Sequence, residues 1–265
     1  MSSGSKFADV KALLGADYSL KSLANNMIFI ENIYDAVNGK LHGGALHEIF
    51  AFQQSDIAAA TGLALGLTWR AGHHKPIVIV RQDVLDSEMG HLDGAGLLDF
   101  GIDLSRIILV KACNIENVLR AGEQSARCQA LGAVLIQSWG NPKALDLKST
   151  RRLALASAKS GVPVFMLRAG ASQEPSAAIT RWMIEAVPSR PLPANAPGAP
   201  AFILKLVRHR GGVEGRTWLM EWNSERACFE ERKRFGLAAL PRSVVSVSHH
   251  RPHLPQPEET MHRAG

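Results

Sequence analysis

The residues from Ala51 to Ala58, AFQQSDIA, lie where a phosphate-binding loop would lie, between the strand-like HEIFA and an alanine-rich segment. A phosphate loop of the type GxxxxGK[ST] needs glycines for backbone curvature, a Lys for the phosphates and a hydroxyl for Mg²⁺. Here Ala51 and Asp56 replace the glycines, Ile57 replaces the Lys, and Ala58 replaces the hydroxyl residue. The sequence therefore predicts a degenerate phosphate loop.

Charge supports the same interpretation of the loop. A triphosphate is a polyanion, whereas the loop contains one acid, Asp56, and no cation. A helix N-terminus alone contributes only about half a positive charge. We expect Asp56 to be the N-cap of the following helix, in the place of a phosphate, and we expect no bound cofactor. The alternative is a phosphate site whose cation comes from elsewhere, such as Lys75 or Arg81.

An acidic cluster follows the second predicted strand. It consists of Asp83, Asp86, Glu88 and Asp93, with His91 among them. Ligands of α/β proteins bind at the carboxyl ends of strands, so a metal site is one interpretation. A solvated loop is the favoured one, and no metal is expected.

Basic residues near the C-terminal end are candidates for contacts with DNA or a protein partner: Arg208, Arg210, Arg216, Arg232, Lys233 and Arg234. Trp218 and Trp222 lie between them, and basic residues with aromatics can hold single-stranded DNA through charge and stacking. The simpler interpretation packs both tryptophans against the core. The segment FEERKRFGLAALPR is predicted to be a helix with a mixed face, which suits a protein partner as well as DNA.

The elements that must position these residues alternate along the chain. Strands are predicted at 47–52, 75–81, 106–112, 133–139 and 162–168, and helices at 56–71, 91–100, 115–131 and 147–160. Asp146 and Gly161 are expected to cap the last helix, and Gly132 to end the one before it. The alternation predicts an α/β fold with a mainly parallel sheet and helices on both faces.

The pattern changes after residue 180. TRWMIEAV (180–187) is predicted to be a strand and the proline-rich 188–200 a loop. Residues 201–210 and 216–223 are predicted to form a hairpin in which Leu204, Leu206 and Leu219 share one face. Such antiparallel strands would extend one edge of the sheet.

Composition restricts the class of protein. The chain has 265 residues and a net charge of +6. Its three cysteines form no CxxC pair, and no apolar run is long enough to span a membrane. We therefore expect a soluble, cytoplasmic protein. Its predicted parts are a helical segment at 1–40, where apolar residues recur at spacings of three and four, a core at 41–223, and a tail at 224–265 that binds partners or is disordered.

The order of these motifs resembles the RecA-like core and, more narrowly, the ImuA family of bacterial mutagenesis cassettes. The resemblance covers roughly residues 40–223. It rests on GGALHEIFA, on LGAVLIQSW followed by LDLKSTRRLALASAKSGVPVFMLR, on SAAITRWMIEAVPS, and on LVRHRGG with WLMEW. A RecA-like ATPase would carry a catalytic Glu near Asp83 and a metal-supporting Asp at Gln137. Neither is present, so the resemblance implies a RecA-like fold without ATPase activity.

The same resemblance implies a function. ImuA-like proteins act in SOS-induced, error-prone translesion DNA synthesis beside ImuB, an inactive Y-family polymerase relative, and a C-family polymerase. We therefore expect a non-catalytic adaptor that uses the N-terminal helices and C-terminal strands to bind partners. RecA, further copies of the chain and weakly held single-stranded DNA are additional candidate partners. The alternatives are a divergent RecA-fold ATPase acting on DNA and a cell-division inhibitor of the SulA type.

Overall fold

A single nine-stranded sheet organises the part of the chain that the computed structural model describes, residues 43–210 and 215–232. The strand order is β3-β2-β4-β5-β1-β6-β7-β8-β9. The first six strands pair in parallel, and β7, β8 and β9 are added antiparallel at one edge. This is the predicted α/β architecture, with antiparallel strands at the C-terminal edge.

The strands have these bounds: β1 Leu46–Ala51, β2 Ile77–Gln82, β3 Ile107–Ala112, β4 Ala133–Trp139, β5 Val164–Ala169, β6 Thr180–Val187, β7 Ala201–His209, β8 Thr217–Asn223 and β9 Cys228–Glu231. In the described part of the chain five α-helices accompany them: α1 Ile57–Gly72, α2 Val84–Met89, α3 Gly94–Asp99, α4 Ile115–Ala126 and α5 Leu147–Ser160. The β-branched and aliphatic composition of β1, β2, β4 and β5 suits strands buried on both faces.

The two faces of the sheet carry separate apolar layers. One layer contains α1 together with side chains such as Ile79, Leu135 and Trp182. The other lies under α4 and α5 and contains side chains such as Val80 and Ile136. Helices therefore cover both faces, as a parallel sheet with crossover connections requires.

A close approach joins α1 to the antiparallel strands. Gly66 lies in the middle of α1, and a Cβ atom there would be 2.5 Å from Phe229 and 2.7 Å from Trp222. Trp222 is buried and stacks on Phe100 with ring centroids 4.4 Å apart. The aromatic side chains of β8 and β9 thus complete the core against α1, which explains the glycine in a helix interior.

The caps of α5 follow the prediction. The Asp146 carboxylate accepts the backbone N–H of Ser149, and Gly161 ends the helix in the left-handed region. In contrast, α4 ends at Ala126, five residues before the expected stop. Gly132 has a different reason: a Cβ atom there would come within 2.2 Å of the Gly72 carbonyl oxygen, so its role is close packing.

One element was not predicted, and two further predictions were wrong. Helix α2 was not anticipated. Cys228–Glu231, partly expected as helix, pairs with β8 as strand β9, and the sheet therefore continues past residue 223. Leu219 does not share the face of Leu204, because it pairs with Ile203, while Met220 points into the core. The predicted segment 1–40 and the tail beyond residue 232 lie outside the described residues.

Candidate functional site

The connection from β1 to α1 is short and held to the sheet. Phe52 donates its backbone N–H to the Ile184 carbonyl oxygen of β6 at 2.7 Å. A 3-10 turn at Gln54–Asp56 then leads directly into α1. Ala51 ends β1, Ile57 begins α1 with 5% of its surface exposed, and Ala58 is exposed. The connection therefore consists of Phe52, Gln53 and this 3-10 turn.

Asp56 is the buried acid of this connection. Its side chain is in a residue only 2% exposed and accepts the backbone N–H of Gln53 at 3.2 Å and that of Ala186 at 3.1 Å. It occupies the N-cap position of α1, as expected, but its carboxylate makes no capping bond to that helix. The carboxylate instead ties the loop to β6, because two backbone donors outside the helix lie within reach.

Arg81, near the end of β2, is the buried cation of the same region. It is 1% exposed. Its guanidinium donates to the Asp86 carboxylate at 3.0 Å, the Gln137 amide oxygen at 2.8 Å, and the carbonyl oxygens of Leu85 and Gly90. Every nitrogen of this guanidinium therefore has an acceptor from the protein itself. We call this group of residues the Arg81 cluster.

Asp86 is the charge partner of Arg81 within this cluster. Besides Arg81 it bonds the ammonium of Lys111 and, at 3.0 Å, the ring of His91. Its hydrogen bond with Lys111, followed by those with Arg81 and His91, holds the pKa of this carboxyl well below its ordinary value, although burial opposes the shift. Asp86 is thus bound to three basic side chains.

The other polar residues at these strand ends are also engaged or point outward. Gln82 accepts the backbone N–H of Trp139 at 3.1 Å. Asp83 is exposed and precedes α2. Asp93 accepts the N–H of Gly96 at 2.8 Å and caps α3. Among the described residues, no group of three or more His, Cys, Asp or Glu side chains is arranged to hold a metal ion.

An apolar cluster fills the space between these connections. Ile57, Leu85 and Ala169 are buried against one another, with Met89 and Trp139 packed around them. In addition, a Cβ atom at Gly170 would be about 3 Å from the ring of Trp139, so the loop after β5 closes on that side chain. The carboxyl ends of β1, β2, β4 and β5 therefore meet over aliphatic and aromatic side chains.

An open groove with a cavity volume of about 590 Å³ lies beside α1. Its lining includes Ala58, Thr61 and Gly62 of α1, with Leu97 and Phe202 opposite. Arg81 reaches this lining, but its guanidinium is used internally as described above. The groove offers apolar contact and no uncommitted cation among the residues that line it.

A second buried ionic group lies on the opposite face of the sheet. Glu48 of β1 is 0% exposed, and one of its oxygens accepts Arg181 at 2.6 Å and the Ser176 hydroxyl at 2.7 Å. Arg168 of β5, which is 1% exposed, lies 3.8 Å from the other oxygen and 3.3 Å from Glu174. We call these residues the Glu48 cluster. Sequence reasoning did not find it, because Glu48 lies more than 100 positions before the other members.

The predicted DNA- or partner-contact residues are placed at opposite ends of β6. Arg208 and Arg210 donate to the Ser176 carbonyl oxygen, near the start of β6. Arg216 precedes β8 at that same end. Arg232 bonds Glu221 at 3.2 Å and the Pro188 carbonyl oxygen, just beyond the end of β6. Lys233 and Arg234 lie outside the described residues.

The two tryptophans near these basic residues face inward. Trp222 is 1% exposed, and its ring nitrogen donates to the Phe100 carbonyl oxygen at 2.9 Å. Trp218 is half-buried against Trp182, with ring centroids 6.1 Å apart. Packing against the core is therefore the structural role of both rings. Contact of the basic residues with DNA stays a prediction.

The free edge of β3 is the other notable surface. β3 pairs with β2 alone, so its second edge is unpaired within the described chain. Ile108 and Leu109 are 48% and 43% exposed on this strand. An exposed apolar edge strand is a template for pairing with another chain. The sequence RIILVKA predicted a strand but not its position at the edge of the sheet.

Comparison with known proteins agrees with this architecture. No protein-family model matches the chain, and no curated protein matches it. Among solved structures, the crystal structure of the RadB recombinase matches with a TM-score of 0.51 at 16% identity, covering 75% of this chain and 96% of that one. The chain therefore has a RecA-like fold. No helix among the described residues has the length and apolar character needed to cross a membrane.

Proposed function

We propose that this chain is a non-hydrolysing RecA-like adaptor in SOS-induced, error-prone translesion DNA synthesis. It would bridge an ImuB-like, inactive Y-family polymerase relative and an error-prone C-family polymerase in the cytoplasm. The specific role comes from the resemblance of the sequence motifs to the ImuA family. The structural support is the filled carboxyl end of the sheet, where catalytic RecA-like proteins hold nucleotide.

The observation that carries the proposal is the internal use of the two buried charges at that position, Asp56 and Arg81. Asp56 places a buried carboxylate in the β1–α1 connection, where a triphosphate would meet like charge. In the described structure, the Arg81 guanidinium donates all its hydrogen bonds to Asp86, Gln137 and two carbonyl oxygens. Ile57, Leu85 and Trp139 pack against one another between these groups. Binding Mg-ATP would require removing these contacts, which costs several kcal/mol for a buried ion pair.

The β3 edge supplies a surface for the adaptor role. A partner segment that adds a strand there would gain backbone hydrogen bonds and cover Ile108 and Leu109. The β3 edge is proposed in addition to the N-terminal helices and the C-terminal strands, as a third partner surface.

Co-purification tests the adaptor role directly. The full chain is expected to retain the ImuB-like protein and the C-family polymerase, and Leu109→Lys is expected to weaken at least one association because it places a charge on the edge strand. Leu98→Lys is the matched control, since Leu98 is 57% exposed on α3 rather than on the edge strand. Retention of neither protein by the unchanged chain would overturn the proposal.

Calorimetric titration with Mg-ATP separates the adaptor from a divergent ATPase. We expect no heat of binding at micromolar concentrations, since the loop lacks a free cation. Micromolar binding would revive the ATPase alternative. Association with the tubulin-like division protein, in the same co-purification format, would instead favour the SulA-type inhibitor.

A further inference from the structure

A groove between α4 and α5 runs along both helices. Near the C-terminal ends of the two helices it has a volume of about 430 Å³ and is lined by residues of α5 such as Leu155, Ala156 and Lys159. Toward their N-terminal ends it continues as a depression of about 510 Å³ lined by Leu119 and Lys148, among others. The two parts meet at one ion pair, Glu123 with Arg152.

The groove is apolar along its floor and basic along its rims. Leu155 is 39% exposed, a large fraction for a leucine on a helix that is otherwise packed against a sheet. Five cations line the two parts: Arg120, Arg127, Lys148, Arg152 and Lys159. Three acids line the same two parts: Glu123 already bonds both Arg127 and Arg152, Asp146 is used as the cap of α5, and Glu116 is the third, so five cations face three acids. The unmatched charge of the rims is therefore positive.

The chain enters the described structure beside this groove. Gly44 has φ +60, and a Cβ atom there would lie 2.6 Å from the Ser157 carbonyl oxygen and 3.1 Å from the Cα of Gly161. The backbone before β1 thus rests on the last turn of α5, next to the groove residues Ala156 and Ser160. Residues 1–42 lie outside the described residues and are connected to the chain at this point.

Residues 23–38 of that segment match the groove in pattern, charge and length. Leu23, Met27, Ile30 and Ile33 recur at helical spacing. Glu31 and Asp35 are the only charged residues in 23–38, and both are acids. A helix over this segment would be about 24 Å long, against about 21 Å for α5. The four residues between it and Gly43 can span up to about 14 Å.

We infer that residues 23–38 form a helix that docks in the α4–α5 groove of the same chain. Its apolar stripe covers Leu155, and Glu31 and Asp35 face the basic rims. Because the connection to Gly43 is short, the helix ends near the last turn of α5, and Ile30 lies near the level of Leu155. The inference does not rest on the proposed function, although a docked segment would offer a partner only its outward face.

Chemical cross-linking of the full chain tests this arrangement. The exposed Cys113 and Cys128 are changed to Ser, while the buried Cys228 stays. Ile30→Cys and Leu155→Cys are then introduced together and treated with a short bis-maleimide at micromolar protein. We expect an intramolecular bridge, detected by mass spectrometry in a product of monomer size. The control pairs Ile30→Cys with Leu192→Cys, at an exposed leucine in the loop after β6, and is expected to give no bridge.

Two results would overturn the inference. A bridged product of dimer size would show that the groove binds a second copy of the chain, and the absence of any bridge would show that residues 23–38 do not occupy it.

Amide hydrogen exchange on the unmodified protein provides a second measurement. Residues 23–38 are expected to be protected at least about tenfold, as for a docked helix. Arg152→Glu is expected to reduce this protection and Arg226→Glu, at an exposed site on the other side of the sheet, to leave it unchanged; exchange at the unprotected rate would contradict the docking.

Discussion

The Arg81 cluster and the Glu48 cluster place buried charge on the same sheet in opposite ways. In the Arg81 cluster one cation is surrounded by acceptors, three of them uncharged, and its acid, Asp86, also reaches the exposed Lys111. In the Glu48 cluster one acid is surrounded by donors, of which two are arginines almost wholly buried. The first cluster retains neutral partners if its acid is lost, whereas the second leaves two cations close together.

This difference teaches how each region tolerates change. Gln137 and two carbonyl oxygens accept hydrogen bonds from Arg81. They take the place of water around its positive charge although they carry no negative charge themselves. Arg168 and Arg181 lie on both sides of Glu48 and over the ring of Phe50, at 5.6 and 5.3 Å from its centroid. Cation–π contact offsets part of their burial but not their mutual repulsion. Stability should therefore depend more on Glu48 than on Asp86.

Glu48→Gln should cause the largest loss of folding stability. It removes the buried carboxylate between Arg168 and Arg181. Glu174 still pairs with Arg168, but Arg181 keeps only uncharged acceptors among the described residues, and leaving such a charge buried costs about 3–5 kcal/mol. Urea unfolding followed by circular dichroism measures the loss. Glu174→Gln is the matched control: its side chain is 43% exposed, and an exposed ion pair contributes about 1 kcal/mol or less. Equal losses in the two variants would remove the distinction between buried and exposed acids.

Asp86→Asn should have an intermediate effect. Arg81 would keep Gln137 and two carbonyl oxygens but lose its charged acceptor, a change of about 1.5–3 kcal/mol for a hydrogen bond to a charged group. Asp99→Asn, at an exposed acid on the end of α3, serves as the control and should be nearly neutral. A loss as large as that of Glu48→Gln would show that neutral acceptors do not share the solvation of Arg81.

The contribution of Asp86 should also depend on pH. Because the folded pKa of this carboxyl is below its ordinary value of 3.8, its stabilisation is fully present well above that value and is lost as the pH falls through the lowered pKa. The stability difference between the unchanged protein and Asp86→Asn should therefore be constant near neutrality and shrink below about pH 4. A difference that grows on acidification would contradict the assigned ion pair.

Ser176→Ala should have the smallest effect of the set. The Ser176 hydroxyl donates to Glu48 at 2.7 Å, while Arg181 still provides two donors to the same oxygen. The loss should be about 1 kcal/mol, the usual contribution of one hydrogen bond, because Arg181 and Arg208, which also donate to the hydroxyl, keep carbonyl oxygens as acceptors. Ser172→Ala, at an exposed residue in the same loop, is the control, because its contacts to Asn141 use the backbone. A loss above about 3 kcal/mol would make the hydroxyl, rather than the arginines, the main partner of Glu48.

The β1–α1 loop could be predicted in part from its sequence. Pattern and charge at Ala51–Ala58 predicted that the loop departs from a phosphate-binding one, and Asp56 does occupy the N-cap position. Its partners could not be predicted, since Ala186 lies 130 positions away and is brought near only by the pairing of β6 with β1. The acidic residues after β2 were likewise visible, but the pairing of Asp86 with Lys111 depends on the register of β2 with β3.

Local chemistry thus determined the elements: apolar runs gave the parallel strands, Asp146 and Gly161 gave the ends of α5, and glycine and proline gave the turns. The tertiary structure alone decided which strand lies at the edge, which charges are buried together and which face Leu219 occupies. The physical reason is that propensities and caps act over a few neighbouring residues, whereas burial and ion pairing are properties of the assembled sheet. Strand order brings Glu48 to Arg181 and exposes Ile108, and no pattern within a single segment contains that order.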